Sequence, residues 1–121
     1  MEKTNLGEME TRFADLIWAN APVGSGELVR LCAEAFSWKK STTYTMLHRL
    51  CDRGIFASEG SIITPLISRE EFYAMQGEQL IDVGFSGSLP GFLAAFTRRN
   101  KLTDREIAEL EAMISAYKKE E

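Results

Sequence analysis

Between Trp38 and Arg53 the chain gathers side chains whose types and spacing suit the recognition of another molecule. Lys39, Lys40, Arg49 and Arg53 set four positive charges against the single acid Asp52, a local balance of +3. Ser41, Thr42, Thr43 and Thr45 put four hydroxyls in five positions around Tyr44, and His48 follows one turn later. Hydroxyls at that density compete for a helix's own backbone, so a helix with a purely structural role avoids them. Met46, Leu47, Leu50 and Cys51 nevertheless recur as a helical apolar stripe, and Gly54 stands where a left-handed residue ends a helix. The polar face opposite that stripe suits a polyanion that also presents patterned donors and acceptors. Cations and hydroxyls meet phosphates, and a Thr methyl or the Tyr ring can meet a thymine methyl in a groove.

The same inventory gives little to build a catalytic site from. His48 is the single histidine, and no Gly-rich phosphate loop, apolar carboxylate pair or ligand cluster accompanies it. Cys32 and Cys51 have no CxxC or histidine neighbour at ligand spacing. Cys32 falls on a helical apolar stripe and reads as a small buried hydrophobe. The expectation is a protein that is not an enzyme and uses no cofactor or metal.

Composition bounds the rest. The chain has 121 residues, 14 Lys+Arg against 18 Asp+Glu, and a formal net charge of −4. That balance excludes a polybasic protein holding nucleic acid by bulk charge, though not one with a local basic face. A chain of this length buries roughly 65% of its unfolded surface, enough for a core without disulfides or metal. No basic segment leads into an apolar run near Met1, and no apolar run approaches the roughly 20 residues that span a bilayer. A cytoplasmic protein is expected.

The elements that must position the polar face follow from periodicity. A first helix is expected from near Leu6, capped by Asn5 with Glu8, with Met9, Phe13, Leu16 and Ile17 as its stripe. Trp18 reads as an anchor between elements, and Asn20-Ala21-Pro22 ends the helix. A second helix starts around Gly24 to Ser25 and buries Leu28, Leu31, Cys32, Ala35 and Phe36. The third carries the polar face over about 41–53. Ile55-Phe56-Ala57 and Ser61-Ile62-Ile63-Thr64 are β-prone runs around Ser58-Glu59-Gly60, with Gly60 supplying a positive φ and Pro65 stopping the second strand. Ser68 with Glu71 caps a further helix containing Phe72, Met75 and Leu80. A Gly/Ser-rich connection from Val83 to Gly91 leads to a helix with Phe92, Leu93 and Phe96. Thr103 with Glu106 caps the last helix, with Ile107, Leu110, Met113, Ile114 and Tyr117 on one side. Three helices followed by a hairpin is the order of a winged helix-turn-helix, whose third helix enters the major groove.

In order and spacing these residues resemble a known family. The marks are Leu16-Ile17-Trp18, Gly26-Glu27-Leu28, the run from Thr42 to Leu50 with Gly54, and the run from Thr64 to Phe72. Phe85-Ser86-Gly87-Ser88 and the run from Leu102 to Leu110 continue it. The chain resembles the penicillinase-repressor family of bacterial winged-helix transcriptional regulators, which includes the methicillin-resistance and copper-responsive repressors. The resemblance implies a mainly α fold with a small β-hairpin wing and a C-terminal α-helical dimerisation region. Residues 1–67 would be the winged helix-turn-helix DNA-binding domain and 68–121 the helical dimerisation region. It further implies a homodimeric repressor on a pseudo-palindromic double-stranded operator. On the recognition face the DNA-binding residues would be Lys39, Lys40, Ser41, Thr42, Tyr44, Thr45, His48, Arg49 and Arg53. Dimerisation would use Phe92, Leu93, Phe96, Ile107, Leu110, Met113 and Ile114, whose stripes have little of their own chain to cover them. A membrane sensor protease that inactivates the repressor near Ala95-Phe96 is a partner implied by the antibiotic-responsive members.

The chain also departs from the family's pattern. Its wing has no Lys or Arg and holds Glu59 near the tip, where family wings are commonly basic. Tyr44 stands where relatives often have a basic or polar reader, which implies a different operator. The C-terminal cysteine cluster of the copper-responsive members is absent from Tyr117-Lys118-Lys119-Glu120-Glu121. The acidic wing and overall charge leave a second reading open, a winged-helix interaction module with weak or lost DNA binding.

Overall fold

The computed structural model describes residues 6–120. They form α1 (Glu8–Asn20), β1 (Val23–Gly24), α2 (Ser25–Phe36), α3 (Lys40–Asp52), β2 (Phe56–Glu59), β3 (Ile62–Pro65), α4 (Arg69–Phe85), α5 (Leu89–Arg99) and α6 (Asp104–Glu120). The fold is a winged helix-turn-helix followed by C-terminal helices, as the element order predicts. Two compact units divide the chain, one ending at Gln79 and the other beginning at Leu80. Among the described residues no single helix is long and apolar enough to cross a membrane.

The N-terminal unit is built on one core. Phe13, Ile17, Leu28, Cys32, Leu47, Leu50, Ile55, Phe56, Ile63 and Phe72 are all buried in it. Each full burial of a Leu, Ile or Phe side chain contributes about 1.5–3 kcal/mol. The α3 stripe matches the periodicity, the α1 stripe does so except at Met9, which is exposed near the helix start, and Cys32 is buried as a small hydrophobe. Ala35 is the exception on α2, since it is exposed although the pattern assigns it to the buried face.

Helix ends follow local chemistry. Asn5 lies outside the described residues, and Glu8 is the first residue of α1, not its third. Glu10 takes the reach-back role, with its carboxylate accepting from the Gly7 N–H at 3.1 Å. Both other capping boxes form. Ser68 Oγ accepts from Glu71 N at 3.0 Å while Glu71 accepts from Ser68 N, and Thr103 with Glu106 does the same. At the end of α3, Ile55 N donates to Leu50 O and Gly54 N to Cys51 O, with Gly54 at φ 80°. That pair of bonds is a Schellman motif and satisfies carbonyls the helix leaves open.

The sheet has one strand more than the periodicity predicts. β1 pairs antiparallel with β3, Val23 opposite Ile63, giving the order β1-β3-β2. A two-residue strand carries no alternation to read, so Val23 and Gly24 look like a helix start. β2 and β3 join through Gly60 and Ser61, both at positive φ (57° and 64°), with Glu59 opposite Ile62. Two successive positive φ values make the tight turn that matches strand twist, and Ser61 takes a place usually given to Gly or Asn. Pro65 is the last residue of β3, opposite Phe56.

Trp18 joins these parts. Its indole Nε1 donates to Ile67 O at 3.1 Å, and its ring lies 5.1 Å from Phe56 and 5.3 Å from Phe72. Asp15, one turn earlier, accepts from Arg69 Nε at 2.8 Å and from the Tyr73 hydroxyl. The first turns of α4 are thereby part of the N-terminal core. α4 also runs through Val83 and Gly84 to Phe85, so the connection is only Ser86-Gly87-Ser88, shorter than the Gly/Ser content suggests.

The C-terminal unit lacks a comparable core. Neither α5 nor α6 has a buried residue. Phe92 packs its ring 5.5 Å from Phe85 and 5.8 Å from Phe96, and Ser88 Oγ caps α5 by accepting from Gly91 N at 2.9 Å.

Trp18→Phe keeps an aromatic ring but orphans the Ile67 carbonyl, and is expected to lower unfolding free energy by about 1 kcal/mol. Trp18→Ala should lower it by about 3–5 kcal/mol. Denaturant midpoints of the two variants against the wild-type chain check both.

Candidate nucleic-acid interface

The turn before α3 sets the direction of the polar face. Ser37 adopts the left-handed conformation (φ 59°) and ends α2, with its N–H bonded to Ala33 O at 3.1 Å. Trp38 then turns inward, its ring 5.2 Å from Phe13 and 4.8 Å from Phe36. With Trp38 held between α1 and α2, the next residues, Lys39 and Lys40, emerge exposed. No periodic pattern assigns Trp38 to the core. An aromatic residue alone in a polar turn was the available signal.

Along α3, Lys39, Lys40, Ser41, Thr42, Thr45, His48 and Arg49 are exposed, while Leu47 and Leu50 are buried. The two remaining candidates are held differently. Tyr44 is half-buried and packs against the core. Arg53 is half-buried, and its Nη1 lies 4.0 Å from Glu10 Oε1 of α1. An intramolecular acid pair is conceivable from sequence for Arg49, but it forms at Arg53. Arg49 instead has Met46 Sδ at 3.6 Å.

Several arginines elsewhere meet carboxylates: Arg30 bridges Glu27 and Glu34, Arg69 meets Asp15, and Arg105 meets Glu109. No ion pair among the described residues involves Lys39, Lys40 or Arg49. Removing the Glu10-paired Arg53 from the four cations leaves three, against Asp52, a net +2 on the exposed face. The N-terminal turn of α3 is also inverted relative to its neighbours. α1, α2, α4 and α6 carry acids in their first turns, where the helix dipole favours them, but α3 has none and begins at Lys40 after Lys39. No side chain caps α3, so its first-turn amides point at solvent beside two ammonium groups. An uncapped helix start that carries two exposed lysines suits a phosphate oxygen.

The wing adds no positive charge. Glu59 is exposed, the turn residues Gly60 and Ser61 are exposed, and Ile62 beside them is 45% exposed. Neither thiol is activated. Burial pushes Cys32 up, and burial with the nearby Asp52 charge pushes Cys51 up.

Thr43 sits on the inner side of α3 at 1% exposure, and its Oγ1 makes no hydrogen bond. The fourth hydroxyl of the cluster therefore belongs to the core and not to the exposed face.

Comparison with known proteins agrees with this architecture. The family described as Penicillinase repressor matches residues 6–116. The penicillinase repressor of Bacillus licheniformis is 22% identical over 117 residues, covering 93% of this chain and 91% of that protein.

Thr43→Val removes a buried hydroxyl without a partner at nearly constant volume, and is expected to stabilise the chain by about 1 kcal/mol in thermal or denaturant unfolding. Arg53→Ala should behave oppositely to Arg49→Ala. The first should lower the denaturant midpoint, because Glu10 loses its cation, and the second should leave the midpoint within about 0.5 kcal/mol of wild type.

Proposed function

The chain belongs to the penicillinase repressor family, and from that membership we propose a homodimeric, sequence-specific repressor that reads a pseudo-palindromic operator with α3. Transcriptional repression follows from the family. The finer assignment, which residues read and how many subunits bind, rests on the exposed face of α3. One observation carries it: Lys39 and Lys40 stand exposed and without an ion pair among the described residues at an uncapped helix start that has no acid in its first turn, with exposed Arg49 farther along the same helix.

The roles divide by position. Lys39 and Lys40 neutralise phosphate at the start of α3, aided by the first-turn amides. Thr42 and Thr45 offer hydroxyls and methyls to base edges, and Arg49 meets backbone or base farther along the groove. Tyr44 presents only part of its ring, because the rest packs against the core. The wing, acidic and without Lys or Arg, contributes little electrostatic affinity.

Two protomers are supported by the C-terminal unit. Phe92, Leu93 and Leu110 are half-buried, and Phe96, Ile107, Met113 and Ile114 are exposed, an apolar surface that a second copy would cover. A two-fold dimer presents two α3 helices to half-sites one DNA turn, or a multiple of it, apart.

Titration of the DNA upstream of its own gene at several salt concentrations tests the reading. Three cations per protomer predict a slope of log affinity on log salt of about −5. Lys39→Ala or Arg49→Ala should reduce that slope by about 2 per dimer, whereas Thr42→Ala or Tyr44→Ala should change sequence preference. Absent or salt-independent binding would instead identify a winged-helix interaction module.

A further inference from the structure

We propose that the groove between α1 and α2 binds a small organic acid, with the Arg12 guanidinium on its carboxylate and its apolar body on Leu16, Ala35 and Phe36. Those four residues and Asp15 line a volume of about 380 Å³, within the roughly 300–1,000 Å³ of small-molecule sites. None of them lies on α3 or in the C-terminal unit. The site therefore stands apart from the DNA-binding and dimerisation surfaces proposed above, and its occupancy depends on neither.

Two departures from helical periodicity mark the place. Met9 on α1 and Ala35 on α2 belong by spacing to the buried stripes, yet Met9 is 37% exposed and Ala35 is exposed as well. Both stand beside one cation. Ala35 lines the groove with Arg12, and Arg12 Nη1 lies 3.7 Å from Met9 Sδ. Leu16 and Phe36 are only half-buried. The two stripes thus reach the core at Phe13, Ile17, Leu28 and Cys32 but leave one apolar patch uncovered, around a guanidinium.

Charge selects the occupant. Arg12 takes part in no ion pair among the described residues, and its guanidinium stands 5.4 Å from the centre of the Phe36 ring. Asp15, the acid in the lining, is already engaged, accepting from Arg69 Nε at 2.8 Å and from the Tyr73 hydroxyl. What the groove lacks is an anion, and a carboxylate matches the paired N–H groups of a guanidinium. Walls of one Phe, one Leu and one Ala suit a single aromatic ring or a short branched chain. The Phe36 ring also lies 4.8 Å from that of Trp38, so an occupant touches the aromatic pair before α3.

That contact supplies the readout. Tryptophan emission of the full chain is followed during titration with hydrocinnamate, its neutral amide and phenylpropylamine. Trp18→Phe, which leaves Trp38 as the sole tryptophan, should keep the response. Hydrocinnamate should give a saturable change with a millimolar dissociation constant. The amide should bind about tenfold more weakly, and the amine should not bind. Arg12→Gln should make acid and amide equivalent, whereas Ala35→Phe fills the groove and should abolish the response. Both positions are exposed, so circular dichroism of the two variants should match the wild-type chain. No saturable response to hydrocinnamate would overturn the site, and so would a response that survives Ala35→Phe. Equal binding of acid and amide by the wild-type chain, or a preference for the amine, would overturn the carboxylate assignment.

Discussion

The N-terminal unit depends on Trp18 filling the junction where three parts of the chain meet. Its ring touches Phe56 of β2 and Phe72 of α4, while its N–H holds the Ile67 carbonyl in the connection between β3 and α4. A smaller side chain could not reach all three, and Phe or Leu could not satisfy the carbonyl. Because β3 pairs with both β1 and β2, holding its exit also holds the sheet on which the end of α3 rests. The Leu66 N–H to Ile55 O bond at 2.8 Å joins that exit to the residue just after the Schellman turn. The polar helix is thus fixed at its far end by β structure and at its near end by Trp38 between Phe13 and Phe36.

That rigidity gives the charges on α3 their meaning. An exposed lysine on a mobile segment is ordinary surface chemistry. Lys39 and Lys40 differ because they follow a half-buried tryptophan and open a helix whose start they destabilise through its dipole. The chain gives up stability there that α1, α2, α4 and α6 gain from acids in their first turns. Glu10 shows the opposite choice. It both accepts the Gly7 N–H and lies beside Arg53, so one carboxylate settles the start of α1 and neutralises the cation at the end of α3. Two of the three exposed cations, Lys39 and Lys40, stand at the start of the helix, the part that would enter a groove in the proposed complex.

Much of this was legible in residue order. The α3 stripe, the α1 stripe apart from exposed Met9, two capping boxes, the Gly54 terminus and the anchoring role of Trp18 are local or periodic features, and each appears as read. Most of what escaped was set by tertiary contact. β1 is two residues long and exists because β3 offers an edge to Val23. α4 continues through the exposed Val83 and Gly84 despite their low helix propensity, and there no tertiary contact accounts for it. Thr43 and Thr42 are indistinguishable by type, and only helix rotation puts one hydroxyl in the core and the other in solvent. Of the nine residues assigned to the polar face, seven are exposed. Tyr44 and Arg53 differ because the core and Glu10 claim them, facts that no spacing encodes.

The overall charge of −4 and the small cationic surface belong to one design. Three unpaired cations on a single protomer bring few phosphates into contact, and an acidic wing brings none. From Arg69 to Glu121 seven basic residues stand against ten acids, a net −3 that disfavours adventitious contact with DNA. In the proposed dimer the second α3 enters as an intramolecular event once the first is seated, so affinity rises without new contacts on either protomer. The same logic makes dimerisation the quantity that controls occupancy. In that dimer a C-terminal unit whose α5 and α6 bury no residue of their own would gain its core largely from the partner, so loss of the pair would also loosen the helices that form it. Weak single-site binding and a partner-dependent C-terminal unit would then reinforce each other: a lone protomer, with few exposed cations, would hold DNA poorly, and any process that opens the α5–α6 surface would leave only that protomer.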